Sequence, residues 1–388
     1  MLNFHYYNPA RIFFGDGAEQ NIYRLFKEYK VTSLMFVYSG DFVKTLGIWD
    51  VIKDACDRLD IDFLECGDVV PNPKIELIRD LVDVSKEHSV DFVLAAGGGS
   101  SVDTAKAVAL GIPYEGDVWD FFDGTAVLEH AVSVGAITTL PASGSETSNA
   151  AIISNGLMKR GFEDDMIIPK FAIMNPKYTL GLPAYQTSCG CADILSHLLE
   201  RYFSDTAHTD ATDYMIEGAI NAALVNSLRL MKEPSDYNAR AEIQWLASIA
   251  HNGILDTGRA ADWGSHRIEH ELSAQYGITH GEGMAVVFVA WCRYMAKVKP
   301  YKLAQLAVRV FHADSYNHTE TEMAYILADK LEGFFKALNL RTTLTEMGID
   351  DTHFEEMANR ATNNDTAPVG HYVLLHVKEF VDILKMAI

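Results

Sequence analysis

Cysteine and basic side chains are scarce in this 388-residue chain, and each shortage removes a class of function. The five cysteines, Cys56, Cys66, Cys189, Cys191 and Cys292, form an odd set without a C-x-x-C pair. They suit a reducing cytoplasm better than a disulfide framework, and Cys189 and Cys191, one residue apart, are expected to be structural thiols, with a metal or redox pair as the alternative. With 32 Lys and Arg against 53 Asp and Glu, the net charge is −21, a field that repels nucleic acid and anionic lipid. The longest apolar run, Gly283 to Trp291, falls far short of the ~18 residues that a membrane-spanning helix needs. The opening MLNFHYYNPAR lacks a basic segment followed by an apolar one, so no secretory leader is expected. Also missing are GxGxxG, a Walker A loop, internal repeats and low-complexity tracts.

What remains is 48% hydrophobic and 22% charged, an ordinary globular composition with ample length for a large core. From about residue 31 to 140, short apolar runs alternate with amphipathic segments, the pattern of a parallel sheet covered on both faces. Strands are expected over Ser33 to Tyr38, Asp62 to Cys66, Asp91 to Ala96 and Ser133 to Thr138, with helices over Lys74 to His88 and Asp103 to Leu110. From about residue 185 the pattern is helical, over Asp193 to Phe203, Tyr214 to Lys232 and Ala239 to Ile254. Gly181-Leu182-Pro183 punctuates the change. The expected division is an α/β domain over 1–184 and an all-helical domain over 185–388.

The segment DFVLAAGGGSSVDTAK runs from a buried-strand pattern through Gly97, Gly98 and Gly99 into a helix that opens with Ser100, Ser101 and Asp103. Glycines there let a ligand approach the backbone, and the helix N-terminus offers unpaired N–H groups and a positive dipole end to a pyrophosphate. A bland reading gives a tight turn, with Ser101 and Asp103 as helix-start residues and Lys106 as a solvated lysine. After the first strand of the alternating region, Gly40 and Asp41 form a second turn. An acid there accepts from an adenosine ribose and repels a 2′-phosphate, which favours NAD over NADP, unless Asp41 caps the next helix. The loop from Thr138 to Glu146 is rich in small hydroxyl residues suited to a flat ring or a phosphate.

Asp193 and His197 stand four apart in a helical pattern, and His266 and His270 repeat that spacing. Each pair shares one helix face. His280 follows in a glycine-flanked segment. One carboxylate among neutral imidazoles suits Zn2+ or Fe2+ better than Mg2+ or Ca2+. Spacing leaves open whether His266 or His270 joins the set. Arg267 stands where HExxH requires glutamate, which excludes that hydrolytic motif. Glu269 and Glu271 are expected chiefly to solubilise their helix, with a hydrogen bond to a ligand as the alternative.

The runs NPARIFFGDGA, VVPNPK, GGGSSVDTAK and TTLPASGSETS, taken with Asp193, His197, His266 and His280, resemble the iron-containing (group III) alcohol dehydrogenases, in their butanol dehydrogenase branch. The resemblance spans essentially the whole chain. It implies a dehydroquinate synthase-like architecture: an N-terminal dinucleotide-binding domain, a helical metal-binding domain, a cleft between them and one divalent ion, Fe2+ or Zn2+. It places Asp193, His197, His266 and His280 on the metal ligands and His270 on a non-ligand histidine near the substrate. It places Asn72, Gly97, Gly98, Gly99, Ser100, Thr139 and Ser143 on cofactor contacts, and Lys159 on a lysine near the cofactor. Similar NADP-using enzymes carry glycines followed by serine where this chain has Ser39-Gly40-Asp41-Phe42.

The implied chemistry is hydride transfer between NAD(P)(H) and a small or medium-chain primary alcohol or its aldehyde, with His270 relaying the hydroxyl proton. Residues 261–290 hold only one Lys or Arg, Arg267, beside Trp263, Tyr276, Val286, Val287 and Phe288, which favours an uncharged substrate. The alternatives are a metal- and NAD-dependent lyase of the dehydroquinate synthase-like group and a non-catalytic nucleotide-binding protein. A homodimer or larger homo-oligomer is also implied.

Overall fold

A computed structural model describes all 388 residues. The chain forms two compact units, Tyr7–Leu182, and Pro183–Ile388 joined by Met1–Tyr6. The first contains β1 (Arg11–Phe14), α1 (Ile22–Tyr29), β2 (Ser33–Tyr38), α2 (Phe42–Thr45), α3 (Ile48–Leu59), β3 (Asp62–Cys66) and α4 (Ile75–Glu87). It continues through β4 (Phe92–Gly97), α5 (Gly99–Gly111), α6 (Trp119–Asp123), β5 (Ser133–Thr138), β6 (Ala150–Asn155), β7 (Met158–Glu163) and β8 (Phe171–Met174).

Six strands form one parallel sheet in the order β1-β8-β5-β4-β2-β3, while β6 and β7 pair as an antiparallel hairpin. Ala96 of β4 pairs with Tyr38 of β2 and Ile137 of β5, so the turns after these strands gather at one carboxyl edge. Crevices there are where open α/β sheets bind ligands. Strands β2 and β4 are buried along their whole length, as the near-continuous apolar runs SLMFVY and FVLAAG require. Their alternate residues feed two cores, Met35, Val37, Val93 and Ala95 on one face and Leu34, Phe36, Phe92 and Leu94 on the other.

The helical unit contains α7 (Ala184–Tyr202), α8 (Asp210–Lys232), α9 (Tyr237–His251), α10 (Gly264–Tyr276), α11 (His280–Val298), α12 (Tyr301–Arg309), α13 (Glu320–Ala337), α14 (Phe354–Ala361) and α15 (Val377–Met386). Helices α7 and α11 are buried over most of their length. That burial explains the apolar run at Gly283, and no helix of the chain is long and apolar enough to cross a membrane.

The α/β and all-helical classes match the expectation, with local differences. Strands β1 and β8 are four-residue segments, too short for a periodic signal. In β7, Lys159 and Arg160 hide the alternation. Helix α7 starts at Ala184, ahead of the expected Asp193, because Thr187, Ser188, Cys189 and Gly190 have poor helix propensity and burial overrides it. Instead of 184/185, the change of unit falls at Leu182–Pro183, and Met1–Tyr6 joins the helical unit. There Leu2 N–H donates to Gly258 O at 2.9 Å, and the Met1 ammonium donates to Ala207 O at 2.5 Å. All five cysteines are buried free thiols.

Candidate metal centre and cofactor turn

Helices α7, α10 and α11 carry the histidine and carboxylate set. Helix α10 ends at Gly277, whose φ of 67° reverses the chain, and three residues later His280 opens α11. A Cβ on Gly281 would overlap the backbone carbonyl of Cys189, so glycine lets α11 press against α7 close to Asp193. As a result Asp193, His266 and His280 bring one ligand atom each within 4.8 Å of the others. His280 Nε2 lies 3.3 Å from Asp193 Oδ1.

His197 borders this trio. Its Nδ1 lies 3.9 Å from Asp193 Oδ1, and its ring stacks on His266 at 4.8 Å with an interplanar angle of 20°. His270 forms a second, overlapping group with Glu269 and His280, its ring centred 5.7 Å from that of His280. Asp193, His197 and His266 are all buried. Burial pushes the Asp193 carboxyl up, but His197, His280 and His266 outweigh it and hold the group well below the usual carboxylate range. Burial drives the His197 imidazole well below its ordinary value, towards the neutral form that ligates metal.

Two glutamates orient the rings: Glu200, not singled out from sequence, and Glu269, for which a hydrogen bond to a ligand is the alternative reading. Glu200 Oε1 accepts from His266 Nδ1 at 2.7 Å, from the His266 backbone N–H at 3.0 Å and from the Ser265 hydroxyl. Its Oε2 accepts from the Trp263 N–H at 2.7 Å. Trp263 sits at φ 61°, a strained conformation for a bulky residue, and this hydrogen bond helps hold it. Glu269, expected to solubilise its helix, is instead fully buried, with Oε2 against His280 Nδ1 and Oε1 accepting from Ser273. Glu271 pairs with Arg360 at 2.9 Å. A readable clue existed for Glu200: Asp193, His197 and Glu200 are spaced four and then three, along one helix face. His251, also unexpected, packs its ring 4.6 Å from that of His197.

The donor set fits a borderline metal. Asp193 Oδ1, His197 Nδ1 and His266 Nε2 are buried without a hydrogen-bond partner, a costly arrangement that a cation relieves. A carboxylate only accepts, so Glu200 assigns the proton of His266 to Nδ1 and leaves the Nε2 lone pair available. Val286, Val287 and Phe288, expected near the substrate, belong to the helical core instead.

In the α/β unit, Gly97 ends β4 at φ 152°, and a Cβ there would collide with the Ser101 side chain. A Cβ on Gly99 would collide with Ser143 Oγ and stand 3.1 Å from Ser143 Cβ. Gly98, at the N-cap of α5, has no side chain to cap it, so the helix end is left for an anion. Ser100 lies in the first turn of α5, and Thr139 donates its N–H to Gly97 O at 2.9 Å. The α5 turn and the 139–147 loop are therefore one packed unit. Gly40, at φ 75°, and Asp41 follow β2; Asp41 takes the N-cap position of α2 but its exposed side chain makes no cap. Asn72 adopts φ 56° in the turn before α4.

Asp103 and Lys106 differ from expectation. Asp103 is buried, with Oδ1 accepting from Ser145 Oγ at 2.5 Å and Oδ2 from Ile152 N–H at 3.1 Å, so it ties the loop down instead of facing a ligand. Lys106, expected in solvent, is fully buried. Lys159 is buried on β7, close enough to act on Asp103.

A parallel α/β unit with a glycine cradle at its carboxyl edge, joined in one chain to a buried carboxylate–histidine cluster, fits the class of metal- and nucleotide-dependent enzymes. Residues 9–176 match the family described as iron-containing alcohol dehydrogenase, and residues 187–388 match the C-terminal part of the same family. The chain belongs to the iron-containing alcohol dehydrogenase family. It is 34% identical to NADH-dependent butanol dehydrogenase A of Clostridium acetobutylicum over 99% of both chains. It is 32% identical to an NADPH-dependent aldehyde reductase of Escherichia coli over 97% of this chain and 98% of that one. The crystal structure of NADH-dependent butanol dehydrogenase A from Thermotoga maritima superposes with a TM-score of 0.94 at 34% identity, covering 100% of this chain and 99% of that one. The chain is thus an alcohol/aldehyde oxidoreductase that uses a nicotinamide cofactor and a divalent metal. Full-length similarity to dehydrogenases and reductases favours this reading over the lyase and the non-catalytic binder.

Proposed function

We propose that the chain interconverts a small or medium-chain primary alcohol, butanol among them, with its aldehyde, using NADH in preference to NADPH and one Fe2+ or Zn2+ ion. The observation that carries this reading is the convergence of Asp193, His266 and His280, with Asp193 Oδ1 and His266 Nε2 buried and unsatisfied. Asp193, His197, His266 and His280 hold the metal, with Glu200 and Glu269 fixing two of the imidazoles. When bound, the metal supplies Lewis acidity at the substrate oxygen, and the nicotinamide takes or gives the hydride.

His270, half-buried beside His280, accepts the hydroxyl proton in the oxidative direction and returns it in the reductive one. Gly97, Gly98, Gly99 and Ser100 seat the pyrophosphate, while Thr139 and Ser143 flank it. Asn72 and Lys159 complete the cofactor contacts. Asp103 acts through the loop it holds. Gly40 and Asp41 face the adenosine ribose, and the exposed Asp41 carboxylate repels a 2′-phosphate. The uncharged substrate is supported by the pairing of nearby Arg201 with Asp256 at 2.9 Å, which leaves its charge committed. A homodimer or larger assembly in the cytoplasm completes the proposal, in keeping with the family resemblance and the free thiols.

Elemental analysis of the purified protein, paired with NADH and NADPH titrations and butyraldehyde turnover, tests the reading. About one metal per chain and faster NADH oxidation are expected. Dinucleotide binding without stoichiometric metal, or turnover confined to NADPH, contradicts it.

A further inference from the structure

A lysine that is fully buried on a helix has to meet its hydrogen-bonding demand inside the protein. Lys106 of α5 does so entirely through the segment that follows β5. Its Nζ donates to Ser145 Oγ at 3.0 Å, Ser148 O at 2.8 Å, Ser148 Oγ at 3.2 Å and Ala150 O at 2.7 Å. Ser145 Oγ in turn donates to Asp103 Oδ1, so the ammonium and the carboxylate grip one hydroxyl from two turns of the same helix. A helical side chain leans towards the N-terminus, which carries the Lys106 charge back towards the glycine turn. The same loop bears Ser143, against which Gly99 packs without room for a Cβ. The clamp and the glycine turn are therefore one rigid body, with a buried cation and a buried anion behind a seat for a doubly charged pyrophosphate.

We propose that Lys106 is a positioning residue for the cofactor, clamping the 143–150 loop to α5, and that its charge couples NADH affinity to pH. The inference rests on reading the glycine turn as the dinucleotide seat. Burial lowers the Lys106 ammonium to about 8, against the opposing pull of Asp103 on its own helix and Glu146 on the facing loop. Lys159 of β7 acts in turn on Asp103. Below that value the cation balances Asp103. Above it the proton leaves for solvent, one donor to the loop is lost, and Asp103 loses the stronger of its two compensating charges behind the phosphates. Anion binding favours the protonated form, so NADH affinity falls as pH rises through this range.

The experiment is a fluorescence titration of NADH onto the full-length, metal-loaded protein from about pH 6.5 to 9.5. Wild-type affinity is expected to hold near neutrality and weaken roughly tenfold at the alkaline end. Lys106→Met is expected to bind weakly at every pH with no inflection. Asp103→Asn, which removes a group that holds the proton on Lys106, is expected to move the inflection to lower pH. NADH bound at neutrality with an affinity flat to pH 9.5 overturns the proposal alone, and this wild-type measurement needs no variant to fold. An inflection that survives Lys106→Met overturns it as well. Failure of the wild type to bind NADH at any pH overturns the dinucleotide reading and this inference with it.

Discussion

Glu200 Oε1 lies 2.7 Å from His266 Nδ1, although 66 residues separate the two in sequence. The contact fixes which histidine nitrogen is protonated, and through Trp263 N–H the same carboxylate fixes the backbone turn from which α10 starts. Glu200→Gln keeps the shape but loses the charge that holds the ring. Metal affinity is expected to fall by about 10- to 100-fold, read by competition with a chelator of known affinity, while the helical circular dichroism stays as in wild type. Unchanged affinity would show that His266 needs no such anchor.

His270 and His266 share one helix face, yet they fall in two different side-chain groups. His266 joins Asp193 and His280 in the trio, whereas His270 groups with Glu269 and His280. His270→Ala is expected to retain stoichiometric metal while turnover drops by roughly 10²- to 10⁴-fold. His266→Ala is expected to lose the metal. Equal metal loss in the two variants, measured by elemental analysis after gel filtration, would mean that His270 is a ligand.

Gly99 tests the proposed cofactor seat by sterics alone. Its missing Cβ is the space that Ser143 occupies, so Gly99→Ala overpacks the turn at a cost of about 1–3 kcal/mol and should raise the KM for NADH without changing metal content. Pairing it with Ser143→Gly removes the collision and should recover part of the loss. No recovery in the double variant would locate the damage in the helix and not in the loop contact.

The legible parts of the sequence are those where one local rule decides the outcome. Ser33–Tyr38 and Ser133–Thr138 are buried on both sheet faces and read directly as strands. The four-residue spacings drew attention to α7 and α10 because a helix turn alone makes those pairs neighbours. Glu200 and Lys106 were opaque, and Glu269 was only half legible, for a common reason. Each is a charged residue whose ordinary place is solvent, and only tertiary contacts far along the chain make its burial affordable, Glu200 through Trp263 and His266, Lys106 through Ser148 and Ala150. The convergence of His280 on Asp193 likewise depends on Gly281 meeting Cys189, which spacing does not encode.

The helical unit carries one more buried charge cluster, and it makes a prediction about acid. Asp213 accepts from Arg259 Nη2 at 2.6 Å, from Gln305 Nε2 at 3.1 Å and from Lys302. Burial pushes its carboxyl up, but the hydrogen bonds from Lys302 and Arg259 prevail and hold it below the ordinary value. A carboxyl that ionises more readily folded than unfolded contributes stability that is present above its unfolded pKa, near ~4, and drains away as pH falls through the lower folded value. Asp213→Asn abandons two buried cations and should cost ~3–5 kcal/mol at neutral pH. In urea unfolding, the gap between wild type and variant should therefore be widest near pH 7, begin to narrow below about pH 4 and close as pH falls through the lower folded value, where the wild-type carboxyl also becomes neutral. A gap that stays constant across that range would show that packing, and not the charge on Asp213, sets its contribution.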